Sequence, residues 1–181
     1  MSSSSVQTPR GSVTIRSTIA DDAPRLRALR LEALTSSPTS FGADLSDVDA
    51  HDWVKVATGD ADNAVFVAEH AGQLVGMTGA YRSTRRKERH HADLWGVYVQ
   101  PAWRRIGLAQ TLVNRAVDWA RDAGVAIVKL TVVPESGARA CYERCGFQVT
   151  GVDPAALFWD GRYYDELLMH RWTNRNAIGS V

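Results

Sequence analysis

With 181 residues, 45% of them hydrophobic and 23% charged, the chain is long enough for one domain with a proper core and has an ordinary soluble composition. Its 21 Lys and Arg against 20 Asp and Glu leave a formal net charge of +1, which gives none of the footprint of bulk nucleic-acid binding. No apolar stretch approaches bilayer length, and the two cysteines, Cys141 and Cys145, lack the partners a metal site needs and fit a reduced, cytoplasmic setting.

Residues 1–12 are Ser-rich without the apolar middle of a signal peptide, and read as a flexible tail. A single domain over 13–173 and a short tail over 174–181 are expected. Val13-Thr14-Ile15-Arg16 alternates as a first strand. Asp21 and Asp22 offer a helix N-cap with Pro24 in the first turn, and Leu26, Leu29, Ala33 and Leu34 follow at helical spacing. Leu45, Val48, Trp53 and Val56 suggest a second helix. Ala64 to His70 and Leu74 to Tyr81 form a hairpin about Ala71-Gly72. The polar run from Arg82 to His91 is a loop, and Asp93 to Val99 is the next strand. Gly107 to Ala123 is a helix with Leu108, Leu112, Ala116 and Trp119 on one face, ended by Gly124. Val125 to Val133 has the apolar run of a buried strand. Ser136 to Cys145 is a short helix, broken by Gly146-Phe147 into another strand, and Glu166 to Trp172 closes the sheet after a tight turn at Trp159-Asp160-Gly161-Arg162. The strand–helix–strand unit in the middle implies one parallel, right-handed crossover.

The most informative stretch runs from Leu94 to Leu112. It is a strand, a loop with Arg104, Arg105 and Gly107, and the start of a long helix. Backbone N–H groups left uncovered at such a helix start, with the helix dipole behind them, suit a phosphate or pyrophosphate.

Arg104-Arg105-Ile106-Gly107-Leu108-Ala109 resembles the Gln/Arg-x-x-Gly-x-Gly/Ala pyrophosphate motif of the GCN5-related N-acetyltransferases, the GNAT superfamily. Ala138-Arg139-Ala140-Cys141-Tyr142-Glu143-Arg144-Cys145-Gly146-Phe147 is similar to the family's Ala-x-x-x-Tyr-x-x-x-Gly-Phe segment. The resemblance extends over roughly residues 13 to 173. It implies an α/β fold of the α+β mixed-sheet kind: six or seven mostly antiparallel twisted strands, one splayed parallel pair, and about four flanking helices. Two positions depart from the pattern. Glu135 stands where many members carry Asn at the cofactor, and Arg105 stands where Gly is more typical.

The resemblance further implies acetyl-CoA as co-substrate, no metal, and direct acetyl transfer to a primary amine in a ternary complex. The main chain of Val97, Tyr98 and Val99 would pair with the pantetheine arm, and the N–H groups from Arg104 to Ala109 would hold the pyrophosphate. Tyr142 resembles the general acid that protonates the departing thiolate; read as a residue alone, it also fits a core tyrosine. Asp93 is the favoured base, with His90, His91, Glu69 and Glu135 behind it. A covalent acyl-cysteine step is disfavoured because neither cysteine has an evident His base beside it. The rival functions are a catalytically idle acyl-CoA-binding module and a transferase for another acyl-CoA.

For the acceptor, a small molecule or a peptide amine is expected, with no nucleic acid and no membrane, and homodimerisation is left open. Asp44, Asp47, Asp49 and Asp52 would suit a cationic amine, although a solvated helix face with N-caps explains them more simply. Trp53, Trp95, Tyr98, Phe158 and Trp159 offer pocket walls or core. Arg82, Arg85, Arg86, Lys87 and Arg89 read as a solvated hairpin.

Overall fold

A computed structural model describes residues 3–174. The strands are β1 (Ser4–Thr8), β2 (Gly11–Ser17), β3 (Asn63–His70), β4 (Gln73–Arg82), β5 (His91–Val99), β6 (Ile127–Val132), β7 (Gln148–Trp159) and β8 (Arg162–Trp172). The helices are α1 (Ala23–Ser36), α2 (Leu45–Asp49), α3 (Trp53–Thr58), α4 (Leu108–Asp122) and α5 (Ala138–Arg144). All eight strands form one sheet in the order β1-β2-β3-β4-β5-β6-β8-β7. Every pairing is antiparallel except β5 with β6, which α4 connects. This is the expected mixed sheet with one parallel pair, with eight strands in place of six or seven and five α-helices in place of about four among the described residues.

The core is split by the sheet. On one face α4 and α5 bury Leu112, Val113, Ala116, Val117 and Phe147 against Val128, Leu130 and Met169. On the other, α1 and α3 bury Leu26, Leu29, Ala33 and Ala57 against Val65, Val67 and Met77. Each helix therefore presents the stripe that its heptad-like spacing provides.

Three expectations change. Residues Ser4–Thr8 are a strand rather than tail: they pair with β2 from Ser4↔Ile15 to Thr8↔Gly11, and Val6 packs on the core. Composition hid this, because an edge strand with one solvated face needs few apolar residues. The region around residues 45–56 forms two helices, since the Asp52 carboxylate accepts from the N–H groups of Val54 and Lys55 and so starts a new helix. Asp22 holds the N-cap position of α1, yet its carboxylate does not cap that helix. It accepts from Arg16 at 2.6 and 2.9 Å and from the Ile19 N–H at 2.9 Å. Of the expected C-terminal tail, residues 175–181 lie outside the described residues.

Two polar networks fix α1 on the sheet. The first is an ion network. Arg16 of β2 bridges Asp22 and Glu69, and Arg25 of α1 bridges the same two carboxylates. The second is Glu32 on α1, which accepts from the Tyr98 hydroxyl at 3.0 Å and from the Gln100 amide at 2.7 Å. Beneath β5, Gly79 of β4 lies against the Trp95 indole so closely that a Cβ there would fall 2.1 Å from the ring.

Candidate active site

The parallel pair β5–β6 is short. Its register runs His91↔Ile127, Ala92↔Val128, Asp93↔Lys129 and then stops. Beyond it, Leu130 to Val132 pair with β8 alone. The edge of β5 from Leu94 to Val99 therefore has no strand partner on that side. β5 also bulges: Met77↔Tyr98 and Gly79↔Trp95 leave Gly96 and Val97 opposite Thr78. Gly96 sits at φ +63°, the left-handed conformation a glycine-led bulge requires. The splay and the bulge open a cleft of about 910 Å³ through the sheet.

One wall of the cleft is the loop into α4. Gly107 takes φ +87° and no side chain caps the helix, so its first N–H groups are left to solvent or ligand. The 15-residue helix adds its dipole there. Arg104 folds back on β5, its Nε donating to the Val99 carbonyl at 2.8 Å and its guanidinium lying 5.6 Å from the Tyr98 ring centroid.

Tyr142 enters from α5, and the end of that helix explains its placement. Gly146, at φ +83°, donates its N–H to the Glu143 carbonyl, and Phe147 donates to the Tyr142 carbonyl at 3.0 Å. This is a Schellman ending, with the expected apolar contact between Phe147 and Tyr142, whose ring centroids are 6.1 Å apart. The Gly-Phe pair thus locks the turn that carries the tyrosine. Burial pushes the Tyr142 phenol well above its ordinary value, so it holds its proton at neutral pH. Cys141 also lines the cleft; the hydrogen bond between the two thiols draws Cys141 down and holds Cys145 up. Among the described residues no histidine lines the cleft.

The opposite mouth is formed by α1, the loop after it and the sheet. Arg30, Ser37, Ser40, Phe41, Trp95 and Glu166 line it. Leu167 and Met169 belong to the core under α4 and α5, so strand alternation turns Glu166 to the α1 face. A second groove of about 550 Å³ adjoins the cleft across Leu94, Trp95, Leu130 and Thr131, and holds Asp93, Lys129 and His170.

The model of the acetyltransferase (GNAT) family matches residues 26–147. The chain belongs to this family. Among curated proteins it is 33% identical over 105 residues to N-acetyltransferase 8 of Rattus norvegicus and 34% identical over 112 residues to the Homo sapiens protein of that name. These matches take in 57% and 60% of the chain and 47% and 46% of the relatives, so the chain spans about half the length of the relatives it matches. Among solved structures, a ribosomal-protein-alanine N-acetyltransferase from Brucella melitensis superposes with a TM-score of 0.76 at 27% identity, covering 87% of this chain and 98% of that one. A GNAT phosphinothricin acetyltransferase from Sinorhizobium meliloti, solved with acetyl-CoA, superposes with a TM-score of 0.75 at 19% identity over 88% of each chain, a likeness of fold.

Within this GNAT domain the expected site residues divide. Val97, Tyr98, Val99, Arg104, Arg105, Gly107, Leu108, Ala109 and Tyr142 all line the cleft. Ile106 does not, because it packs on the core beneath α4. Glu135 is exposed and outside the lining, so it puts no charge into the cleft. Asp93 lies in the adjoining groove instead of the cleft. There burial raises its carboxyl above the usual range, with Lys129 opposing.

Of the aromatic candidates, Trp95 and Tyr98 line the cleft, whereas Trp53 packs near α1 and Phe158 and Trp159 are exposed. The aspartate cluster is absorbed locally: Asp44 and Asp52 cap helices, Asp47 accepts from the Asp44 N–H, and Asp49 pairs with Arg27. Sequence reasoning passed over Arg30, Phe41 and Glu166. The signal for Arg30 was present, since it stands four residues after Leu26 and three before Ala33, on the apolar stripe of α1.

Arg105 sits at φ +63°, where a side chain is strained by about 1–2 kcal/mol and glycine is not. Arg105→Gly is accordingly expected to raise the melting temperature, by about 2–4 °C if about 1 kcal/mol is recovered. A lower melting temperature would show that the arginine side chain stabilises the loop by more than its backbone costs.

Proposed function

We propose that the protein is an N-acetyltransferase that moves an acetyl group from acetyl-CoA to a primary amine by direct attack in a ternary complex. One observation carries the reading: the unpartnered, bulged edge of β5 leads, through the loop of residues 100–107, into the uncapped N-terminus of α4. Such an edge accepts an extended amide arm by strand-like hydrogen bonding, and such a helix start accepts a pyrophosphate. Bound acetyl-CoA would supply an activated thioester carbonyl.

The remaining roles belong to this chain. The free N–H groups of the β5 bulge stand where they can stabilise a developing oxyanion. Tyr142, protonated at neutral pH, donates to the leaving sulfur. Among the described residues Glu166 is the one carboxylate lining the cleft, and it accepts the amine proton directly. Asp93 acts from its own groove through water. The idle binding module is the weaker reading, because Glu135, the residue that motivated it, lies away from the cleft.

The test measures thiol release from acetyl-CoA against a panel of primary amines, with a melting curve in acetyl-CoA alone. Acetyl-CoA at 100 times its Kd is expected to stabilise the fold by about 2.7 kcal/mol, or about 5–10 °C. Stabilisation without turnover on any amine would favour the binding module, and the absence of both effects would overturn the reading.

A further inference from the structure

The acceptor mouth contains a charge without a direct partner. Arg30 Nη1 is buried and has no hydrogen-bond partner. It is the one side-chain nitrogen or oxygen so placed among the described residues. The guanidinium lies 4.6 Å from the Phe41 ring centroid and 6.0 Å from that of Trp95. Nη1 also sits 3.6 Å from the point a Cβ on Gly96 would occupy, which places it against the β5 bulge. Aromatic faces hold a guanidinium in place by cation–π attraction but accept none of its hydrogen bonds in the plane.

Among the described residues no carboxylate is within ion-pair distance of Arg30. Asp47 acts on it only from farther off, with one carboxylate oxygen engaged by the Asp44 N–H at 2.8 Å. A buried cationic donor without an acceptor is unfavourable in a folded protein unless a ligand completes it. The position is held firmly. Arg30 is one turn from Leu26 and Ala33 in the core, and Glu32 ties the same helix to Tyr98 and Gln100. Across the cleft Glu166 supplies the opposite charge.

We propose that Arg30 is the anion-binding residue of the acceptor site, so that the acceptor is an amine carrying a carboxylate: an amino acid or a close derivative. The carboxylate meets the guanidinium where Arg30 lines the cleft, with the unpaired Nη1 turning toward it on binding, while the amino group lies toward Glu166 and the β5 bulge. A planar guanidinium suits a carboxylate in a way an ammonium does not, since it presents its donors in a fixed fork. This assignment rests on the acetyltransferase reading, which supplies the amine.

The experiment compares the common L-amino acids with their α-carboxamides, using the full chain, acetyl-CoA and thiol release. Binding of each pair to the CoA-loaded protein is measured in parallel by calorimetry. For the best amino acid, the carboxamide is expected to have kcat/KM lower by about ten- to a hundredfold, as a charged hydrogen bond provides. Arg30→Met should raise KM for the acid by a similar factor and leave the carboxamide, and KM for acetyl-CoA, unchanged. Arg30→Lys should restore part of the preference if both variants keep the wild-type melting temperature.

Amide turnover equal to acid turnover overturns the assignment and leaves the acetyltransferase standing. Loss on acid and amide alike by Arg30→Met also overturns it, and marks Arg30 as structural. Arg30-dependent binding of the acid without turnover supports the anion site while removing the enzyme. Absence of both turnover and Arg30-dependent binding across the panel overturns the assignment.

Discussion

Replacing Tyr142 with phenylalanine is expected to lower kcat by about 100- to 10,000-fold, the usual contribution of a positioned general acid. The affinity for acetyl-CoA should stay as it was, because the tyrosine meets the sulfur and not the pyrophosphate end. The substitution keeps the ring that contacts Phe147 and removes one hydroxyl from a residue only 7% exposed, so the fold should survive it. The pH profile separates this role from a packing role. Burial holds the phenol far above neutrality, so the alkaline limb of a tyrosine-dependent rate should lie well above the pH where an ordinary phenol begins to lose its proton. Unchanged kcat in Tyr142→Phe would return Tyr142 to the core and transfer the acid role to water.

The second large effect concerns the frame. Asp22 is fully buried, accepts from Arg16 and Ile19, and is paired with Arg25. The Arg16 hydrogen bond holds its carboxyl at about 2, below the ordinary 3.8. A folded value below the unfolded one means that the stabilisation is complete above pH 4–5 and is lost as pH falls towards 2. A difference of this size is worth about 2 kcal/mol. Asp22→Asn leaves two arginines facing a neutral amide with only Glu69 to share, and is expected to cost about 3 kcal/mol at neutral pH. That is a fall of about 6–12 °C in melting temperature for a chain of this length. The variant's stability should also vary less between pH 5 and pH 3 than the wild type's. A loss below about 1 kcal/mol would show that Glu69 alone can hold both arginines.

How much of this was legible in the sequence differs by element. Helical periodicity located α1 and α4, and apolar runs located β3, β4 and β6, of which β3 and β4 are buried over consecutive residues. Glycine chemistry located the ends: Gly124 and Gly146 both close Schellman turns, with N–H bonds from Val125 to Ala120 and from Phe147 to Tyr142. The Arg104–Ala109 loop and Tyr142 were readable because local geometry fixes them within a few residues of their motifs. β1 was not readable, since its pairing with β2 depends on a turn at Pro9-Arg10 and on neighbours rather than on its own polarity. Asp93 lies in the groove adjoining the cleft, a placement its own strand does not fix. Which strand gap opens is decided by where β6 leaves β5, a property of two segments separated by α4. Glu166 was missed for the same reason, being brought to the cleft from the far end of the chain by the antiparallel β6–β8 pairing.

Gly79 touches no part of the open cleft, yet it supports the floor of the acceptor mouth from below, by giving the Trp95 indole somewhere to lie. A methyl group at that point cannot coexist with the ring as it stands, so the ring would tilt upward and the mouth would become shallower. The size of amine admitted is thereby coupled to a position one strand away that no acceptor contacts. Diversification of such a protein toward new acceptors has a route that leaves the reacting groups intact: change the support of the indole, and the selectivity filter is resized beneath unaltered chemistry.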